Sequence, residues 1–485
     1  MMKRSFYTLF LLAAILLLGS CSDNDTFSNS SSNRLSFTTD TLRMDTVFST
    51  VPSSTRQFWI HNNSGDGIRI AKIRLANGNQ KGFRVNVDGE YMSQYQLNDV
   101  EIRKGDSILV FVELTAPMTH AKTPVMIEDE LEFILESGVK QTVCLNAYAW
   151  DAEKITNLKV SRDTTLEGGL PRIIYGDIKV DSGVTLTLKN AKLFFHDGAG
   201  FDVYGRLVAQ GTATDNVELR GDRLDKMFDY LPYDHVSGQW KGIRLHSSSF
   251  GNSLSYTDLH SAMNGIVCDS SACSSSPDSL RLSLLRSTIH NNKGFGVLLC
   301  NASADINECQ ITNCLYDGLA VKGGRVRVSD CTLAQFYPLD WTKSPALSFT
   351  NHLNGFQYPL YSLNCANSII TGYEDEELAG SFVDSLEYAY EFHNCIIRSA
   401  DLAKASYDSA HFYNVRFESP KDTIQGEKHF LCIDRDQVRF DFRLDSLSTA
   451  RGFASPEFSS GFDRNGCQRS ATKPDAGCYE MVKEE

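Results

Sequence analysis

No basic block occurs anywhere in the 485 residues, and the formal net charge is −13. That balance argues against nucleic acid or an anionic lipid surface as a partner. The chain also lacks HExxH and any paired histidine spacing of a metal-binding helix. His61 and His120 are far apart and share no ligand pattern. No glycine-rich stretch sits in the strand-to-helix setting that a phosphate cradle requires. Beyond Ile173 there is no convincing amphipathic helix, only short strand-like runs punctuated by Gly, Asn and Asp. No catalytic residue, cofactor or metal ligand is therefore assigned from motifs. What is present is a 42% hydrophobic fraction, that of a globular protein, in a chain long enough for two or three domains.

The N-terminus carries Lys3 and Arg4, then an apolar run from Phe6 to Leu18, then "GSCSDND". The run is too short for a comfortable membrane span and has the layout of a signal peptide. Leu18-Gly19-Ser20-Cys21 resembles the bacterial lipobox, which implies a lipoprotein signal peptide over 1–20 and a diacylated Cys21 as the new N-terminus. Ser22-Asp23-Asn24-Asp25 resembles the acidic export signal of Bacteroidota surface lipoproteins. The resemblance implies an outer-membrane lipoprotein exposed on the cell surface, joined to the membrane by acyl chains. Burial of their methylenes supplies the attachment. Residues 21–34, rich in Ser and Asn, read as a flexible tether.

Over 35–150, alternating runs such as "RQFWIHNN", "IRIAKIRL", "SILVFVEL" and "QTVCLNAYA" lie between turn residues. Period-two alternation buries one face of each strand and wets the other. The order resembles the Ig-like modules at the base of bacterial surface lipoproteins and implies a β-sandwich spacer.

The texture changes over 151–455. "GVTLTL", "KLFF", "GRLVAQGT" and "GQWKGIRL" resemble the coils of right-handed parallel β-helix proteins. Placing Leu259, Ile289, Ile311, Leu333, Ile370, Ile397 and Phe417 in one column gives steps of 30, 22, 22, 37, 27 and 20 residues. A base period near 20–22 is one coil per step. Two residues earlier stand Thr257, Ser287, Cys309, Cys331, Ser368, Cys395 and Val415, on the same face by alternation. Three residues earlier comes a turn column of Tyr256, Arg286, Glu308, Asp330, Asn367, Asn394 and Asn414. Asn tolerates the left-handed backbone that a tight corner needs.

That alignment also sorts the 13 cysteines. Cys309, Cys331 and Cys395 read as a reduced interior ladder, since free Cys behaves as a small buried hydrophobe. Cys268 with Cys273, across "CDSSAC", and Cys467 with Cys478 are candidate disulfides. Residues 456–485, "DRNGCQRSATKPDAGCYE" within them, resemble the terminal cap of such helices, expected to cover the unpaired strand layer at the end of the solenoid. The fold class is all-β: an N-terminal Ig-like β-sandwich followed by a right-handed parallel β-helix with a C-terminal cap.

β-Helices include pectate lyases and polygalacturonases, but the Asn-Thr-Asp, Gly-His-Gly and Arg-x-Pro-x-x-Arg phrases of those enzymes are absent. The insertion "DRLDKMFDYLPYDHVSGQW" instead offers Tyr230, Tyr233 and Trp240 among aspartates, a pattern suited to stacking on sugar rings. The turn column supplies the one near-continuous charged stripe, Arg286–Glu308–Asp330. The sequence therefore reads as a surface-anchored, non-catalytic binder of glycan or a protein partner. A polysaccharide lyase or hydrolase is the alternative, and a structural adhesin a third. Several Asp-Ser/Thr triplets, such as Asp40-Thr41-Leu42, resemble the O-glycosylation acceptor of Bacteroidota exported proteins. Replacing Cys21 with Ala is expected to abolish labelling by a clickable palmitate and release the chain from the membrane fraction. Unchanged labelling would remove the anchor from this reading.

Overall fold

The computed structural model describes residues 26–481, apart from 79, 272–279, 342–343, 354 and 405–409. Cys21 and Cys273 lie outside the described residues. The chain divides into two compact units, Met1–Asp151 and Ala152–Glu485. No helix among the described residues is long and apolar enough to cross a membrane.

The first unit is a sandwich of two five-stranded sheets. One orders Ser36–Phe37, Arg56–His61, Ser107–Leu114, Phe83–Val87 and Glu90–Tyr91; the other orders Thr41–Phe48, Lys140–Trp150, Val125–Leu135, Ile68–Leu75 and Gln96–Ile102. Alternation does what the sequence requires: in Ser107–Leu114, the side chains of Ile108, Val110, Val112 and Leu114 are all buried. They share one core with Ile70, Phe133 and Leu145 of the facing sheet. Pairing is antiparallel except where Thr41–Phe48 runs parallel to Lys140–Trp150.

The second unit is a parallel β-helix. Among the described residues, 26 of its strands join in one sheet, and each of these pairs in parallel with its equivalent in the next coil. The register reproduces the sequence column at every step: Leu259 opposes Ile289, then Ile311, Leu333, Ile370, Ile397 and Phe417 in turn. Leu219 and Leu193 extend it upward. The turn column adopts the left-handed backbone throughout, with φ from 47° at Tyr256 to 55° at Glu308. Thr257, Ser287, Cys309, Cys331, Ser368 and Cys395 are all buried beside the aliphatic column.

The thiols are unbonded. Cys331 Sγ lies 3.5 Å from the Cys309 amide nitrogen, and Cys395 Sγ lies 3.9 Å from Cys365 Sγ. One disulfide expectation needs revision. Cys467 and Cys478 are both free: Cys478 is fully buried, its amide donating to Thr332 Oγ1, while Cys467 is half-buried and faces a separate cleft. Cys268 is in register with Leu245 and Leu299 and is buried in their interior column, while its expected partner Cys273 lies outside the described residues.

The terminal segment also departs from expectation. It runs back along the side of the solenoid, across the corner column, and is a lateral strap. Ser455 exchanges hydrogen bonds with the Asn367 side chain, Gly477 N donates to Asn367 O, and Arg464 Nε donates to Thr288 Oγ1. Arg469 pairs with Glu308 at 2.6 Å, both side chains fully buried. The physical reason is the corner itself: its long polar side chains need partners, and the strap supplies them. Breaking a buried pair leaves an uncompensated charge, so Arg469→Ala should cost about 3–5 kcal/mol. Urea unfolding monitored by circular dichroism measures this, and a loss below about 1 kcal/mol, the scale of an exposed pair, would contradict it.

Candidate functional site

The strands flanked by left-handed corners are short, so each presents only two side chains outward, one on either side of the inward aliphatic. In Thr257–His260 these are Asp258 and His260; in Thr288–His290 they are Thr288 and His290. Parallel register sets His290 directly beside His260, with ring centroids 4.6 Å apart and planes 12° from parallel. His290 Nε2 lies 3.1 Å from Asp258 Oδ1. The three residues offer ligand atoms within 4.8 Å of one another, the sole such trio of His, Cys, Asp or Glu among the described residues.

The neighbouring coils extend the polar face. Above, Glu218 is in register with Asp258, and Arg220 is ion-paired with Asp234 of the insertion. Below, Thr288 is in register with Gln310, which accepts from the Tyr479 hydroxyl at 2.8 Å. The insertion closes over the site. Asp234 O accepts from Ser261 Oγ at 2.6 Å and lies 3.4 Å from His260 Nδ1. His235 follows it, with its Nδ1 buried and without a hydrogen-bond partner. Trp240 Nε1 donates to His260 O at 2.8 Å and fixes that backbone from within.

Burial, then the neighbouring His290, holds His260 well below the usual imidazole range. Burial and His290 push His235 the same way. Burial opposes ionisation of Asp258, but the His290 hydrogen bond and surrounding positive charge prevail and hold its carboxyl below the usual range. At Glu218 burial prevails over the attraction of Arg220, and the carboxyl is raised.

The sequence-proposed contacts do not gather into one surface. Trp240 is only 2% exposed and stacks on Phe195 at 4.3 Å, so it belongs to the core and cannot meet a ligand. Its place in "GQWKGIRL", just before a strand, turns it inward. Tyr233 is half-buried under the Arg223 guanidinium at 3.9 Å. Tyr230 is exposed and stacks on Phe228 at 5.7 Å. The charged stripe is also closed, because the strap covers Glu308 and Asp330.

His260 and His290 carry a signal that was available in the sequence. They follow Leu259 and Ile289, two members of the aligned column, so the alignment already makes them neighbours. A search for ligand spacing along the chain sees residues 30 apart; a search across coils sees a pair.

A different corner carries a hollow of about 280 Å³ lined by Met263, Asn264, Lys293, Tyr316 and Asp340. Next in the chain, Trp341 is 98% exposed. The base of the insertion abuts the same corner, where Ser237 N donates to the Tyr337 hydroxyl and Gly238 N to Ala262 O. A larger open cleft of about 780 Å³ lies at the strap, lined by Arg443, Asp463, Cys467, Tyr479 and Glu480 among others.

No family model and no curated protein matches the chain. Among solved structures, the VesB protease of Vibrio cholerae aligns at 14% identity over 24% of this chain and 32% of that one, with a TM-score of 0.17. The chain thus spans about a third of that protein's length. The A-module of a mannuronan C-5 epimerase from Azotobacter vinelandii aligns at 12% identity over 56% of this chain and 91% of that one, with a TM-score of 0.26. Neither likeness carries an activity to this chain.

A histidine kept neutral by folding makes the folded state bind fewer protons than the unfolded one below about pH 6.5, so its contribution falls as pH drops through that value. His260→Gln removes this term, with His290, Asp258, Arg220 and His235 as the groups around it. The stability gap between the native protein and His260→Gln should therefore shrink from pH 7.5 to pH 5. Thermal melts at both values test this, and a gap that widens on acidification would refute it.

Proposed function

We propose that the chain is a lipid-anchored protein of the cell envelope, held through Cys21 at the outer leaflet, whose β-helix binds a polysaccharide without cleaving it. The corner hollow beside Trp341 carries this reading. An indole left 98% in water forgoes the roughly 1.5–3 kcal/mol that burying a large apolar side chain contributes. Retaining it there suits a surface whose partner covers it. Tyr316 at the hollow and the Phe228–Tyr230 stack on the insertion supply further exposed rings. A flat apolar ring face matches the apolar face of a sugar, and Asn264, Lys293 and Asp340 place hydrogen-bonding groups beside it for hydroxyls. The sandwich of the first unit serves as the spacer between anchor and binding unit.

A second reading, an enzyme acting on polysaccharide, is favoured by one observation. Glu218, Asp258, His260 and His290 converge on one outer face across successive coils, as acid–base chemistry on a single bond requires. A glycan array followed by product analysis separates the two readings. For any glycan bound, Trp341→Ala and Tyr316→Ala should each weaken binding about tenfold, the scale of one ring contact, while the glycan is recovered at full length. Unchanged affinity in both variants would sink the corner site. Shortened or unsaturated products would establish the enzyme instead.

A further inference from the structure

We propose that Asp258, His260 and His290 form a site for one divalent first-row transition metal ion, of the zinc class. The donors are two imidazoles and one carboxylate on adjacent coils, brought together by register. Two nitrogen donors select against calcium and magnesium, which take oxygen ligands, and in favour of zinc, cobalt or nickel. Three protein ligands leave a coordination position open for water or a ligand.

The dimensions fit with small movement. Metal–ligand distances of 2.0–2.1 Å in tetrahedral geometry place ligand atoms about 3.3 Å apart. Here Asp258 Oδ1 and His290 Nε2 are already 3.1 Å apart, and no pair in the trio exceeds 4.8 Å. Closing the remaining gap of about 1.5 Å, and turning the near-parallel rings so that both in-plane lone pairs meet one ion, requires rotation about side-chain torsions. The backbone needs no adjustment, because the corner residues Ser261 and Asn291 fix the strand ends, with φ of 63° and 52°. His260 Nδ1 is turned toward Asp234 O at 3.4 Å, which leaves Nε2 to face a metal.

The surroundings contain two guanidinium groups, and both are engaged. Arg220 is held by Asp234, and Arg464 donates to Thr288 Oγ1 at 3.0 Å. Hydrogen bonding alone explains the Asp258–His290 contact but not the second imidazole stacked against the first. Two adjacent imidazoles repel when both are charged, and an apolar residue at position 260 would avoid that cost. His235 Nδ1, buried and unpartnered beside them, is a further basic nitrogen that hydrogen bonding within the fold does not use.

The test uses the full chain stripped of metal by a chelator, titrated with cobalt(II) and then zinc(II). Binding of one equivalent of cobalt should give d–d absorption without the sulfur-to-metal charge-transfer band that the free thiols would produce. Zinc should displace the cobalt and raise the melting temperature. His260→Gln and His290→Gln should each weaken binding at least about tenfold, and His61→Gln, in the first unit, should leave it unchanged. Asp258→Asn provides the same comparison where a histidine variant folds poorly, as judged by its circular dichroism without metal. Absence of d–d bands, cobalt bound only through thiolate, or equal affinity in the three site variants would overturn the assignment. None of these outcomes touches the corner site, whose variants and probe are different.

Discussion

From Tyr256 onward, successive coils of the solenoid turn sharply at the same place, and the turn is made by a left-handed residue. The structure makes this turn seven times in succession, from Tyr256 to Asn414, all near φ of 50°. Asn fills the last three positions, as steric reasoning favours. The four before it are Tyr256, Arg286, Glu308 and Asp330; for the first three the left-handed state costs about 1–2 kcal/mol each, while Asp tolerates it as Asn does. The strap covers these positions as well as Asn367. Arg469 pairs with Glu308, Phe462 lies under the Arg286 guanidinium at 5.6 Å, and Arg464 lies over the Tyr256 ring at 6.0 Å. Long side chains at a strained corner make sense once the strap is in place, because contacts that neither part makes alone offset the backbone cost.

The same corners dictate where chemistry can sit. A strand of three or four residues between two corners has an inward centre and two outward flanks, so the outer face reduces to two columns. One runs Glu218, Asp258, Thr288, Gln310, Thr332, Ile369, Ile396; the other includes His260, His290, Thr312 and Ala334. A side chain placed in either column acquires its neighbours from register, with no local motif required. That is how Asp258, His260 and His290 meet although they belong to different coils.

This geometry also explains what the sequence did and did not reveal. Interior positions repeat with every coil, so one aliphatic column fixed the register of seven strands from Leu259 to Phe417, and the thiol positions followed from it. The outward columns repeat position but not identity, and reading them requires going across the alignment at fixed offset. Long-range partners were less legible still. Nothing near Glu308 in the chain announces Arg469, 161 residues later, so a buried ion pair reads from sequence as an exposed stripe. Trp240 failed for the opposite reason: an aromatic residue in a polar insertion looks like a contact until its neighbour Phe195 is known to lie 4.3 Å away.

Only one of the two outward columns changes character along the solenoid. Toward the later coils the second column stays polar, as Thr371, Arg398 and Glu418, while Ile369 and Ile396 of the first pack with Ala334 under Phe430, Phe442 and Leu444 of the hairpin Phe430–Asp434 and Arg439–Leu444. That cover works by ordinary hydrophobic burial. Toward the earlier coils the cover is the insertion, yet what it covers is Glu218, Arg220, Asp258, His260 and His290. The later coils bury ionisable groups as well, but as a closed pair: Glu418 lies against His429, and neither side chain is more than 2% exposed. The fold demands a covered face at both places but demands imidazoles and carboxylates at neither. What sets the earlier face apart is two imidazoles stacked beside a carboxylate on adjacent coils, an arrangement that register permits and packing alone does not require.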